Sequence, residues 1–279
     1  VAATTHHLRG SSVATPTELE FEHITAADGL PANTVYWITQ DSLGFLWFST
    51  WNGLARYDGY TFKQFVPEPD NPNSVSDRYL VEILPDRQGY LWIGTMNSGL
   101  DRFDPRTETF TNYRHSETDP NSLCNDGVWT LYEDSKGVIW IGTNGGGLDA
   151  LDSNTGVFTH YANDPDDPNS LSDNRVYAIR EDRQGTLWVG THRGLNRLDR
   201  DTGKFVRYLP DRRNPNSLSH YLITSIYEDR DGILWIGTTG GGINRYDPGK
   251  GAFEHYKHDP DDPTSLSDNG VFCFLEDHE

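Results

Sequence analysis

Leu91-Trp92-Ile93-Gly94-Thr95 returns as Ile139-Trp140-Ile141-Gly142-Thr143, Leu187-Trp188-Val189-Gly190-Thr191 and Leu234-Trp235-Ile236-Gly237-Thr238, with a looser copy at Leu46-Trp47-Phe48-Ser49-Thr50. The tryptophans stand 45, 48, 48 and 47 residues apart. A fixed period of that length marks a repeat architecture. Each copy follows an Asp-x-x-Gly (Asp41/Gly44, Asp86/Gly89, Asp134/Gly137, Asp182/Gly185, Asp229/Gly232). Each is followed by a Gly-containing turn and a short run ending in Asp, such as Gly99-Leu100-Asp101-Arg102-Phe103-Asp104. An aromatic pair comes next, as in Phe110/Tyr113, Phe158/Tyr161, Phe205/Tyr208 and Phe253/Tyr256. A polar stretch (Asp119-Pro120-Asn121-Ser122-Leu123 and its counterparts at 167–171 and 214–218) leads into a last alternating run.

One unit therefore holds four strand-like pieces of about five residues, punctuated by turn residues, which read as antiparallel hairpins. The Gly of Asp-x-x-Gly supplies the positive φ that closes the first hairpin. No stretch shows helical periodicity over ten residues. Four strands in about 47 residues fit the blade of a β-propeller and exceed a leucine-rich repeat. The spacing predicts innermost strands at 35–41, 79–86, 128–134, 176–182, 223–229 and 271–277, the Trp strand second, the Gly-Leu-x-Arg run third and the Phe-x-x-Tyr run outermost. An outermost-type strand is expected at 21–24. The expected fold is all-β: five complete four-stranded antiparallel blades with partial strands at both ends, a fragment of a larger propeller with an exposed edge at 271–277. The recurring Trp reads as packing between blades rather than as a ligand surface, and the small Gly of the Trp strand lets the next sheet approach.

The chain has 279 residues and a formal charge of −19, with 42 acidic against 23 basic side chains. Aromatics reach 12%, so the chain can build a core despite its acidic exterior. The charge argues against nucleic acid and against adhesion to an anionic membrane. No apolar run approaches a spanning helix. Cys124 and Cys273 form neither a disulfide framework nor a CxxC. Residues 1–17, polar and carrying His6-His7, read as a linker or processed terminus, with the propeller over 18–279.

The succession Asp-x-x-Gly-x-Leu-Trp-Ile-Gly-Thr, Gly-Gly-Leu-x-Arg-x-Asp, Phe-x-x-Tyr and Asp-Pro-Asn-Ser-Leu-Ser resembles the two-component regulator propeller repeat. The segment 28–33 with Gly53-Leu54-Ala55-Arg56-Tyr57-Asp58-Gly59 looks like the first repeat of such proteins. The resemblance covers 18–279. It implies the sensor region of a bacterial membrane receptor, facing the periplasm or exterior, with a small molecule or oligosaccharide as ligand and further domains of the same longer chain as partners. A homodimer is a further partner to weigh. No kinase belongs to these residues.

In a propeller the turns between second and third strands share one face with the crossovers into the next blade, around the mouth of the central channel. Positions that break the repeat there are free for recognition. Trp51, Met96, His192 and Arg193 depart from the Gly-rich norm of those turns, and Arg78, Tyr79, Trp129, Arg175, Tyr177 and Tyr221 vary on the approach to the innermost strands, together with Asp126 and His220. Aromatics beside guanidinium groups suit sugars and anions, and Arg78, Arg175, Arg193 and His192 would form a local positive exception.

Other constellations carry less. The oxygen-rich crossovers 164–170 and 259–265 lack calcium-loop geometry and read as Asx-turns. His160 and His255 read as solvated outer-strand residues. The Glu-Asp pairs (Glu133-Asp134, Glu181-Asp182, Glu228-Asp229, Glu276-Asp277) read as hairpin residues, because neighbours on a strand point to opposite faces. No nucleophile elbow, zinc-protease helix or phosphate loop is present, so no catalytic residue, metal or cofactor is assigned. A lyase-like propeller enzyme using His192 or His220 and a pure interaction scaffold are the rival readings.

Overall fold

The computed structural model describes residues 22–276 and the backbone of Ala2–Ala3. Strand β1 (Ala2–Ala3) pairs with β2 (Glu22–His23), and a single 3-10 turn spans Ala26–Asp28. Five four-stranded antiparallel sheets follow, each in sequence order. Blade I holds β3 (Val35–Gln40), β4 (Leu46–Thr50), β5 (Gly53–Tyr57) and β6 (Phe62–Phe65). Blade II holds β7 (Leu80–Pro85), β8 (Leu91–Thr95), β9 (Leu100–Asp104) and β10 (Thr109–Tyr113). Blade III holds β11 (Val128–Glu133), β12 (Val138–Thr143), β13 (Leu148–Asp152) and β14 (Val157–Tyr161). Blade IV holds β15 (Val176–Glu181), β16 (Leu187–Thr191), β17 (Gly194–Asp199) and β18 (Lys204–Tyr208). Blade V holds β19 (Ile223–Glu228), β20 (Leu234–Thr238), β21 (Ile243–Asp247) and β22 (Ala252–Tyr256).

The first strands of consecutive blades pack on one another, which places them innermost, and the blades stand face to face. The core is correspondingly divided into clusters that each bridge two blades. Trp47 and Leu54 of blade I meet Leu80, Ile83 and Phe103 of blade II, and Trp140 and Leu148 of blade III meet Val176 and Ile179 of blade IV. All of Trp47, Trp92, Trp140 and Trp188 are buried, as the repeat required. The Gly of the Trp strand is where the next blade comes closest. A Cβ on Gly142 would lie 2.5 Å from Thr130 Cγ2 and 2.7 Å from Val176 Cγ1, and one on Gly190 would lie 2.5 Å from Ile223 Cγ2. In blade I the position is Ser49, whose hydroxyl donates to the Val81 carbonyl at 2.6 Å.

The Asp-x-x-Gly turn does more than turn. Gly137 has φ 81°, as expected. Asp134 Oδ1 accepts the N–H of Lys136 and of Val138 at 2.9 Å each, while Oδ2 accepts the Trp140 indole N–H at 2.8 Å. The Glu beside it corrects the hairpin reading of the Glu-Asp pairs. Glu133, Glu181 and Glu228 accept backbone N–H groups from the same turn of the preceding blade, at Arg87, Ser135 and Arg183 (3.0, 2.6 and 2.8 Å). Opposite-face alternation aims the Asp at its own blade and the Glu at its neighbour.

The ends differ from expectation. The strand expected at 21–24 is the two-residue β2, paired with β1 rather than with a blade, and Phe21 lies outside the described residues. Segment 271–276, expected as an innermost strand, forms no strand. It is nevertheless held on blade V where an innermost strand would run. Val271 N–H donates to the Thr238 carbonyl at 2.9 Å, and the Tyr227 hydroxyl donates to Glu276 at 3.0 Å. Phe272 and Leu275 are exposed there, as are Tyr36, Trp37 and Ile38 of β3. Residues 1–17 lie outside the described residues apart from the backbone of Ala2–Ala3.

Candidate functional site

Each innermost strand carries a break in register at its first residues: Val35/Trp37, Leu80/Ile83, Val128/Thr130, Val176/Ala178 and Ile223/Ser225. A bulge places two residues opposite one and re-aims a side chain. At these breaks stand Tyr36, Trp129 and Tyr177. The turns between second and third strands hydrogen-bond to the same region. His192 N–H donates to the Arg175 carbonyl at 3.0 Å, Met96 N–H to Tyr79 at 3.0 Å and Thr239 N–H to Leu222 at 3.3 Å. Turns and crossovers therefore share one face, and the repeat-breaking residues meet there.

They fall into two groups. On blades I and II, Trp51 packs on Tyr36 (centroids 6.0 Å) and edge-on to Tyr79 (6.2 Å), and Arg78 donates to the Asn52 side chain at 3.3 Å. On blades III to V, Trp129 packs on Tyr177 at 4.8 Å and Tyr177 lies 6.4 Å from His192. Arg175 Nη2 is 2.9 Å from His192 Nδ1, and Asp173 takes Arg175 at 3.1 Å and Arg193 at 3.7 Å. Among the described residues no ring contact or ion pair joins the two groups. Met96 is half-buried and takes part through its backbone.

The second group borders a cleft of about 710 Å³ lined by Asn163, Ser172, His192, Arg193, Arg207 and Tyr221. Its positive charge is tempered. Burial pushes the Asp173 carboxyl up, the Arg175 guanidinium and N–H more than offset that, and Asp173 sits below the usual carboxylate range. Arg193 remains largely exposed and reaches into the opening. Arg78 stands apart from Arg175, Arg193 and His192, so the basic exception is a cluster of three, not four.

Arg207 is a lining residue the sequence reading missed. It stands on β18, the outermost strand of blade IV, at a recurring position whose side chain holds a crossover. Arg207 donates to the Ser170 and Asp167 carbonyls at 2.7 and 2.9 Å. His160 and His255 occupy the same place; His160 is exposed, as its solvated reading expected, but both also hold a crossover. His160 sits 2.6 Å from buried Asp149 and 2.9 Å from the Pro120 carbonyl, and His255 sits 2.7 Å from the Ser217 carbonyl. The crossover oxygens likewise serve local turns: Asp164 and Asp167 accept N–H groups two residues on at 2.9 and 2.8 Å. Asp126 accepts the His115 N–H at 2.7 Å, and His220 accepts from Leu222 N–H at 3.2 Å.

Bladed sheets packed face to face, with their variable side chains gathered on one face, define a β-propeller. The pattern described as the two component regulator propeller matches at 29–52, 74–97, 122–145, 170–193 and 217–240. The chain is built of these repeats and belongs with the two-component regulator propellers. It is 28% identical to the extracellular domain of a hybrid two-component system from B. thetaiotaomicron, at a TM-score of 0.55, covering 92% of this chain and 39% of that one. A stretch of 56 residues is 41% identical to histidine kinase P4 of Formosa agariphila, and covers 20% of this chain and 4% of the kinase. Virginiamycin B lyase from Staphylococcus aureus shares the fold at 17% identity and a TM-score of 0.60, over 81% of this chain and 71% of the lyase. The chain thus spans well under half the length of its two-component relatives. No helix among the described residues is long and apolar enough to cross a membrane.

Proposed function

We propose that this propeller is the ligand-sensing part of an extracytoplasmic bacterial receptor, and that it binds a carbohydrate at the mouth without transforming it. The cleft beside Arg193 and Tyr221 carries this reading. Its size accommodates a short oligosaccharide, Tyr221 offers an exposed aromatic edge for sugar CH groups, and Arg193 offers a guanidinium for an acidic substituent. Asn163 and Ser172 add polar groups of the kind that fix orientation. Kinship with the extracellular domain of a hybrid two-component system supports the location and the sensing role. The output would lie in further domains of the same longer chain, and packing between copies or domains would carry the signal, since blades locked face to face have little internal freedom.

A glycan array of neutral and acidic oligosaccharides tests this, with Arg193→Ala and Tyr221→Ala as paired controls. Binding recovered with unchanged ligand, and weakened at least about tenfold by either variant, supports the reading. Binding indifferent to both variants places the ligand elsewhere. A new product in the incubation makes the chain an enzyme.

A further inference from the structure

The Trp of each second strand faces a third-strand residue across the sheet. In four blades that residue is Arg: Arg56 opposite Trp47, Arg102 opposite Trp92, Arg197 opposite Trp188 and Arg245 opposite Trp235. In blade III it is Ala150, opposite Trp140. What the arginine does is visible in blades I and II. Arg56 Cζ lies 4.9 Å from the centre of the Phe45 ring and 5.8 Å from Trp47, and Arg102 Cζ lies 3.7 Å from Tyr90 and 5.6 Å from Trp92. Blade III lacks both partners, since Val138 stands where Phe45 and Tyr90 stand. Two neighbouring large-to-small changes leave a groove of about 510 Å³ between blades III and IV, floored by Val138, Trp140 and Ala150 and walled by Leu198. The groove opens beside the turns of the face opposite the mouth, where Lys136 and Asp152 form its rim.

Blade IV has partly compensated. Arg200 reaches back so that its Cζ lies 5.5 Å from the Trp140 ring, and it pairs with Asp134 at 2.6 Å and Glu181 at 2.8 Å. Its charge is spent on those two carboxylates, and the space above Ala150 stays open. We propose that this groove is a socket for a guanidinium group, an arginine side chain presented by a protein partner. The vacated space is the one that the chain fills with its own arginine in blades I and II. Asp152 gives the incoming cation a carboxylate, and hydrogen bonds from the turn around Asn154 and Thr155 hold that carboxyl below its usual range. Lys136 opposes it, but its ammonium sits on a flexible stem and can turn to solvent. Across longer distances a chain of formal charge −19 draws a basic partner. This site is independent of the mouth and of any ligand bound there.

The test is a titration of the 279-residue chain with acetyl-Gly-Arg-Gly-amide, acetyl-Gly-Lys-Gly-amide and a neutral oligosaccharide, read at the Trp140 indole N–H by NMR. The arginine peptide is expected to shift that resonance saturably, and the lysine peptide to bind about fivefold more weakly, because it lacks the planar cation that lies flat on an aromatic bed. Ala150→Arg, which restores the repeat, is expected to abolish the shift. Asp152→Asn, on the rim and outside the core, is expected to weaken it about threefold and to flatten its salt dependence, and it decides the matter if Ala150→Arg does not fold. The proposal fails if no saturable shift appears, if lysine matches arginine, if the oligosaccharide alone moves the indole, or if the arginine response survives both substitutions.

Discussion

The Trp140 indole N–H donates to Asp134 Oδ2 at 2.8 Å, and every blade repeats this bond between its Trp and the Asp six residues before it. One carboxylate closes the hairpin with one oxygen and orients the largest core side chain with the other. The Asp-x-x-Gly turn and the buried Trp are therefore a single device. Blade packing depends on it, because the indole so fixed is the surface the next blade covers.

Asp86→Ala should accordingly cost more than the loss of a turn residue. It removes the acceptor for the Trp92 indole and for the Gln88 and Tyr90 N–H groups. A buried donor left without a partner costs about 1–3 kcal/mol, so a loss of at least about 3 kcal/mol is expected in urea unfolding. A loss under about 1 kcal/mol would show that the indole bond does not organise the blade.

Gly142→Ala tests the closeness of blades III and IV. The added methyl meets Thr130 Cγ2 and Val176 Cγ1 at distances no Cβ tolerates. Overpacking of that kind costs about 1–3 kcal/mol, and Val176→Ala in the same chain should recover part of it by removing one of the two clashing groups. Absence of recovery in the double variant would mean that the blades are not in register at this point.

Asp101 gives the clearest pH dependence. It is buried in β9, and burial pushes its carboxyl up to about 6, although Ser76 and Asn112 donate to it. The unfolded chain ionises this group near 3.8, whereas the folded chain holds the proton to about 6. The folded state therefore binds the extra proton between those values, and this group's contribution to stability falls as pH rises through that window, then stays level above it. Blades IV and V carry Asn196 and Asn244 at the same register, each accepting a crossover N–H as Asp101 does. Asp101→Asn should thus raise stability at pH 7.5 by about 3 kcal/mol at most and bring little gain at pH 4. Equal effects at both pH values, measured by thermal unfolding, would refute the assignment.

The blades, their strand order and the buried Trp were legible because each is a property of one repeat compared with its copies. Gly142 and Gly190 were legible for the same reason: a small residue held at one register in four of the five units marks a close approach. The bond of Asp134 to Trp140 was not, since a turn-forming Asp has the same sequence signature whether or not its second oxygen is used. The inter-blade bond of Glu181 and the crossover bond of His160 were not legible because their partners, Ser135 and Pro120, lie in the neighbouring blade or crossover, and strand alternation gives a direction but no distance. The aromatic and basic residues gather on the face where turns and crossovers meet, as the repeat predicted, but their division into two groups depends on which blade each side chain leans toward. Arg207 was overlooked because it sits in a strand where recognition was not sought. Ala150 was in plain view as the missing Arg of the third Gly-Leu-x-Arg run, and only the groove gives that gap a meaning.

The central claim is that recognition occurs at the mouth, on blades III to V. Hydrogen–deuterium exchange with a saturating oligosaccharide, chosen by the array, tests it most directly. The account expects slowed exchange in the crossover 163–175, in the turn at His192 and Arg193 and on the approach at 220–222, with the opposite-face turns at 134–138 and 182–186 unchanged. Protection confined to those opposite-face turns would contradict it.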